Sequence, residues 1–452
     1  MYSSYVGVYV HRRPALFAED DLGRMYNRMR TLVRQGVAFA WILSVCVCNA
    51  QPVPGVYPQG TSFPLLMLAL GPDPALAAPV VAASGWNIGH LYIDPQLSDP
   101  TGREKTNSRL QTLAQNGMEG LVHLSANYDS ANVASEGSEA QIADYIQFIV
   151  ANTNIAYWDF PEEMRYWKAS ELQIVRDYAA WTRRYDPQRR PNFMYIPGHY
   201  SASDVAHYIP FLDIIPASAY ADYAAQPHAW VRWRMEETIR GIHQGGGTIG
   251  WDYQRGEKTP VGIIQLFKGS NGLIPTPEQT YYDFWQLIVS GARGIWVYSY
   301  AHRNDTPSLL SNFANLQTAA SQVSGEEQIG NVILYGRTDS SVTFTVLDGP
   351  DQTVSFTPYG LATAVQFPAI DLLCKVWHGD VYVIAVNSTD QIVRAEISGL
   401  PGTDGSATLP FESRTVAVTG DEFADVFPPW GVHVYRMRRQ PVSRPRETPS
   451  GR

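Results

Sequence analysis

Cysteine is scarce in this chain. Three occur in 452 residues, Cys46, Cys48 and Cys374, and the first two lie in an apolar run near the N-terminus. If that run is cleaved off, Cys374 is left alone, which excludes an internal disulfide and a cysteine-based metal site. Charge is thin as well: Asp, Glu, Lys and Arg make up 17%, against about 25% in an average soluble protein. The net charge of -9 and the lack of any basic stripe with interleaved aromatics exclude a nucleic-acid partner. HExxH, the nucleophile elbow GxSxG and the phosphate loop GxxxxGK[ST] are all missing, and the histidines are scattered singly. No metal and no cofactor are expected on that basis.

Long apolar runs are missing too. The one targeting signal reads MRTLVRQGVAFAWILSVCVCNA from Met29, followed by QPVPG. Arg30 and Arg34 form a basic start, Val37 to Cys48 an apolar stretch, and Ala50 a small residue before a Pro-rich segment. About a dozen apolar residues cannot span a bilayer, so the segment reads as a cleavable secretory signal. Residues 1–28 read as an upstream extension, with Met29 as the true start. The expected location is secreted or periplasmic in a bacterium, with no membrane attachment after cleavage.

What the chain does have is aromatic and apolar residues, 26 Tyr, 12 Trp and 45% hydrophobic overall, enough for two packed domains. Short apolar runs alternate with amphipathic stretches between Ser62 and Arg303. The predicted strands are Phe63–Ala69, Asn87–Ile93, Gly120–Ser125, Ile155–Phe160, Pro191–Ile196, Asp213–Ala219, Val261–Phe267 and Gly294–Tyr300. Helical segments such as Leu172–Arg184, Trp230–His243 and Gln279–Ser290 separate them. Eight strands in about 240 residues predict an α/β fold, a (β/α)8 TIM barrel, over residues 51–320. A doubly wound sheet is the competitor, but no glycine-rich first turn supports it. Beyond residue 321 the helices stop. Val332–Tyr335, Val342–Leu347, Thr353–Phe356, Val381–Val386, Val393–Ile397, Thr415–Val418 and Val432–Tyr435 predict a C-terminal antiparallel β-sandwich over 321–439. The Pro- and Arg-rich stretch 440–452 reads as a disordered tail.

Function in a barrel gathers at the strand C-termini. Those ends supply Asp94; His123; Trp158, Asp159, Glu162 and Glu163 in AYWDFPEEMRYW; His199; Tyr220 and Asp222; Gln265; and Tyr298. Trp251 and Asp252 stand on the approach to strand seven. Carboxylates among aromatics suit glycoside hydrolysis, which needs an acid for the leaving oxygen and a second carboxylate to attack or to activate water. Trp158, Tyr220, Trp251 and Tyr298 are the stacking candidates for sugar rings, with His199, Asp252 and Gln265 as hydroxyl partners. The acidic pair also has a plainer reading, since adjacent acids often open a helix and complement its dipole.

Two segments carry a resemblance. AYWDFPEE looks like the fourth-strand motif of clan A glycoside hydrolases, an aromatic strand ending in acids. TPVGIIQLFKG followed by PTPEQTYYDFWQLIVSGARGIWVYSY is similar to the seventh strand, helix and eighth strand of such barrels. The resemblance covers residues 55–437 in architecture and implies a secreted enzyme acting on a polysaccharide or oligosaccharide. The chain departs from the clan at two points: Pro161 precedes Glu162 where Asn is usual, and Gln265 stands where the clan carries its nucleophile. The expected catalytic set is Glu162 as acid, Glu163 in support and Asp222 as second carboxylate. The alternative is a non-catalytic carbohydrate-binding barrel.

Overall fold

The computed structural model describes residues 62–71, 74–91, 100–124, 127–128, 134–135, 138–402 and 405–438. The expected signal, the upstream extension, Asp94 and the tail 440–452 lie outside the described residues.

Eight parallel strands close on themselves. They are β1 (Leu65–Met67), β2 (Ile88–His90), β3 (Glu119–His123), β4 (Ile155–Asp159), β5 (Asn192–Phe193), β6 (Ile214–Ala219), β7 (Glu257–Gln265) and β8 (Ile295–Tyr298). Each pairs with the next, and β8 pairs with both β7 and β1, leaving no edge. Closure explains the near-continuous apolar strands: one face meets the helices and the other the barrel interior. The interior is filled by large rings, with Trp296 of β8 stacked 5.9 Å from Tyr157 and tilted 4.3 Å from Phe193.

A helix follows each strand: α1 (Pro74–Ala82), α2 (Pro100–Gln115), α3 (Glu139–Ile149), α4 (Ala169–Tyr185), α5 (Ala202–Ala206), α6 (Trp230–Gln244), α7 (Pro277–Val289) and α8 (Pro307–Ser324). The PTPEQ segment opens α7. The Thr276 hydroxyl accepts from the Gln279 N–H while the Gln279 side chain returns to the Thr276 N–H, a reciprocal cap. Residues 282–289 are all buried, which a surface helix with one apolar stripe would not show. The reason is the second module, which covers the outer side of α7.

Val332–Tyr335, expected as a strand, lies instead in a further helix, α9 (Ile329–Tyr335). A four-residue apolar run does not distinguish strand from buried helix. Here Ile329, Val332 and Ile333 bury one face, and Arg293 donates to the carbonyls of Ile333 and Leu334 at the helix end. Two antiparallel sheets follow. One has six strands in the order β9–β11–β12–β17–β14–β15: Arg337–Thr338, Ile370–Trp377, Asp380–Asn387, Val432–Arg438, Gly405–Leu409 and Arg414–Val418. The other has three in the order β10–β13–β16: Thr343–Asp348, Val393–Ser398 and Phe423–Phe427. Thr353–Phe356, also expected as a strand, forms only one isolated bridge, Phe356 with Val365. The two sheets share a core of Val342, Ile370, Val383, Ala395, Phe423, Phe427 and Tyr435, which makes them a sandwich.

The outer face of the larger sheet is not a surface. Tyr382, Ile384, Val386 and Val434 belong to the same apolar cluster as the barrel. Polar ties reinforce the join: Gln286 donates to Asp371 at 2.9 Å, Ser388 donates to Gln286 at 2.9 Å, and Arg232 pairs with Asp371 at 3.2 Å.

Candidate active site

The loop after β4 carries the acidic pair, and the surrounding structure holds it firmly. The Phe160 N–H donates to Phe193 O, and the Glu163 N–H donates to Tyr195 O at 3.1 Å. Tyr208 donates its hydroxyl to Met164 O and accepts from the Tyr166 N–H. Glu171, in the first turn of α4, takes both the N–H and the guanidinium of Arg165. Glu163 has φ +56°, a left-handed conformation that costs a non-glycine residue about 1–2 kcal/mol. The surrounding hydrogen bonds hold it there.

The two carboxylates share Tyr195 as a neighbour but otherwise act on different groups. The charge of Glu162 is felt at His123 of β3, at Tyr195 beyond β5 and at Tyr220 beyond β6, raising the pKa of each. Its side chain is half-buried. Glu163 is exposed and acts on Arg165, Tyr195 and Tyr200. Desolvation by the cleft walls lifts its own carboxyl above the ordinary range, partly offset by Arg165.

Beneath the loop, three strand ends converge. Asp159, the last residue of β4, has no exposed surface, and its Oδ2 lies 2.7 Å from His123 Nδ1 and 3.0 Å from His90 Nε2. Burial alone would raise the carboxyl and lower both imidazoles. For His123, burial is outweighed by the Asp159 charge and hydrogen bond, with Glu162 adding to them, and its pKa is raised. For Asp159, the two histidines overcome burial and hold the carboxyl down, whereas at His90 burial prevails. Among the described residues, this is the group of His, Cys, Asp or Glu side chains able to hold a metal ion. His90 carries no motif in the sequence. Only the pairing of β2, β3 and β4 reveals it.

Aromatic rings wall the opposite side. Tyr195 stacks on Tyr220 at 6.2 Å, Tyr220 meets Phe267 edge-on at 5.2 Å, and Phe267 meets Tyr298 at 5.7 Å. Tyr220 and Tyr298 were expected here from the sequence; Tyr195 and Phe267 were not. Further out stand Tyr223, 53% exposed beside Phe267, and Trp167, 57% exposed and 5.9 Å from Tyr200. His199 is exposed on the β5 loop, 5.6 Å from Tyr359, which belongs to the second module and is 61% exposed. That loop is pressed onto β6, because a Cβ at Gly198 would lie 2.3 Å from Ser218 O.

Other expected site residues lie elsewhere. Trp158 points out of the barrel, fully buried, with its Nε1 donating to Asp186 at 2.9 Å. Side chains alternate along a strand, so Asp159 facing inward forces Trp158 outward. Trp251 and Asp252 stand at the N-terminal end of β7, the opposite face of the barrel. Their N–H groups donate to Glu257 at 2.7 Å, and Asp252 caps the turn Tyr253–Arg255. The strand starts at Glu257 rather than Val261, which leaves these two residues beneath it. Gln265 does end β7, but it serves as a brace: it accepts from the Tyr223 N–H and donates to Phe267 O, both at 3.0 Å. Asp222 turns toward His228 (3.6 Å), which also contacts Asp283 at 2.8 Å. Burial lowers the imidazole's pKa, yet the two carboxylates outweigh it and lift it to about 10. Asp222 and His228 line a cavity of about 270 Å³ together with Ser388, Thr389 and Trp430 of the sandwich.

No protein-family model and no curated protein sequence matches the chain. Solved structures do. The chain is similar to an α-amylase from Geobacillus thermoleovorans complexed with acarbose (TM-score 0.51, 10% identity, covering 84% of this chain and 100% of that one). It is similar to an Anoxybacillus α-amylase (TM-score 0.52, 8% identity, covering 84% and 98%). A variant of a GH27 β-L-arabinopyranosidase from Geobacillus stearothermophilus, complexed with arabinose, matches with TM-score 0.53 and 9% identity, covering 85% and 99%. At such identities the likeness is one of fold: the chain shares the barrel and C-terminal β-sheets of TIM-barrel glycoside hydrolases.

Proposed function

We propose that this protein is an exported glycoside hydrolase acting on a polysaccharide or oligosaccharide, with Glu162 as the acid that protonates the leaving oxygen. The observation that carries the reading is the placement of Glu162. It is a half-buried carboxylate in the loop after β4, at the C-terminal end of the strand, and its charge adds to the raised pKa of His123, Tyr195 and Tyr220. Glu163, in the same loop with a raised pKa, is the supporting carboxylate. The Tyr195–Tyr220–Phe267–Tyr298 wall offers flat apolar faces for a sugar ring, and Trp167, Tyr223 and Tyr359 extend that surface outward. Glycosidic cleavage needs a positioned acid and a second carboxylate, and flat apolar faces suit the apolar side of a sugar ring. Export rests on the segment Met29–Ala50, and N-terminal sequencing of protein recovered outside the cytoplasm should begin just after Ala50.

The test is a comparison of leaving groups. Glu162→Gln should lose about 10²–10⁴-fold in kcat on natural glycosides. It should lose far less on aryl glycosides whose leaving group needs no proton. Equal losses on both, or none, would remove Glu162 from the acid role. A second reading, a carbohydrate-binding barrel without catalysis, is favoured by one feature: Gln265 at the end of β7 is a brace and not a nucleophile. Binding of oligosaccharide without turnover across a broad glycan panel would decide for it.

A further inference from the structure

We infer that His90, His123 and Asp159 form a binding site for a divalent first-row transition-metal ion at the inner end of the barrel mouth. The three donors come from the last residues of β2, β3 and β4, adjacent strands in register, with His123 opposite Asp159. One ligand atom from each lies within 4.8 Å of the other two. An ion about 2.0–2.2 Å from imidazole nitrogen and carboxylate oxygen sets its ligands roughly 3.3 Å apart in a tetrahedral site. The observed 2.7 and 3.0 Å from Asp159 Oδ2 to the two imidazoles need only a small opening, and the two imidazole nitrogens lie within 4.8 Å of each other. The carboxylate is able to make it. Both imidazole contacts fall on Oδ2, while Oδ1 is buried and has no hydrogen-bond partner among the described residues.

That asymmetry is the second observation pointing to a ligand. A fully buried carboxylate with one oxygen unserved is costly, and a cation bound through Oδ1 or through both oxygens would serve it. The donor set selects the ion. Two imidazole nitrogens and one carboxylate oxygen suit zinc, cobalt, iron(II) or nickel, whereas calcium and magnesium take oxygen ligands. Three protein ligands leave coordination positions open, as in sites that bind water or substrate rather than purely structural ones. The donors sit on barrel strands, which hold such a constellation more firmly than loops do. Glu162 acts electrostatically on His123, so an ion held here lies within the field of the mouth.

The experiment uses the full chain without an affinity tag, dialysed against chelator and titrated with Co²⁺. The expected result is one equivalent bound, with the intense visible absorption of four- or five-coordinate cobalt, displaced by Zn²⁺. His123→Gln and Asp159→Asn should weaken binding at least tenfold while keeping the wild-type circular dichroism. His243→Ala, on the exposed last turn of α6, should leave binding unchanged. Two results overturn the inference: only the faint spectrum of aqueous cobalt with wild-type protein, or stoichiometric binding that neither variant alters. The readout is binding alone, so the outcome is independent of the glycosidase assay.

Discussion

Trp158 and Asp159 are neighbours on β4 with opposite fates, one locked against Asp186 outside the barrel and the other held between two histidines within it. From the sequence both are visible as strand-four residues, but not which of them faces inward. A shift of one residue in register exchanges the two faces. The same limit applies to Trp251 and Asp252, whose place depends on where β7 begins. Glu119 offers a test at this scale. It opens β3, where burial lifts its pKa to about 8 although Arg190 pulls the other way. Between the unfolded value of 4.5 and about 8, the folded chain keeps a proton that the unfolded chain releases. Stability should therefore fall as pH rises through that window. Glu119→Gln should flatten the decline, by an amount of order 1–3 kcal/mol at pH 8, read from denaturant midpoints between pH 5 and 8.5. Parallel profiles for the two proteins would show the carboxyl to be uncoupled from folding. Trp167→Ala is a second residue-scale prediction. On the proposed function, losing one exposed stacking face costs about 0.5–1.5 kcal/mol, a roughly two- to twelvefold weaker oligosaccharide affinity with the melting temperature unchanged.

Helix α7 shows what a single element reveals when its environment is read with it. Its start is legible in the PTPEQ segment, and its buried perimeter follows once the sandwich is known to lie on its outer side. Thr276→Ala removes the reciprocal cap and should cost about 1 kcal/mol, seen as a lower melting temperature. A Thr276→Ser variant should recover most of the loss. The eight barrel strands are legible because each is a compact apolar run, although most of their ends differ from expectation, by up to four residues. Elements that stray from simple patterns are harder to read. Val332–Tyr335 has strand-like composition but is helical, because it packs as α9 beside α8. Gly405–Leu409 passes unnoticed because its apolar positions are few, and Phe423–Phe427 because its apolar residues do not alternate cleanly, Val426 being exposed. Glu162 and Glu163 are legible as a pair. Their difference in exposure is not, because the left-handed turn at Glu163 has no signature in the sequence.

At the scale of the whole molecule, the barrel and the sandwich share one apolar cluster and a bonded set of Gln286, Arg232, Asp371 and Ser388. Such a join predicts a single cooperative calorimetric transition for the described unit. Two separated peaks would show that the modules fold independently. Asp371→Ala strips partners from Arg232 and Gln286 and should cost about 1–3 kcal/mol without splitting that transition. Tyr359 gives the join a meaning beyond stability. It rises from the second module yet stands against His199 on the barrel, so the rim of the cleft is jointly owned. A barrel separated from its companion would keep the acidic floor but lose part of one bank. Exchanging the companion for another sandwich would then reshape the surface around His199, with every barrel residue left as it is.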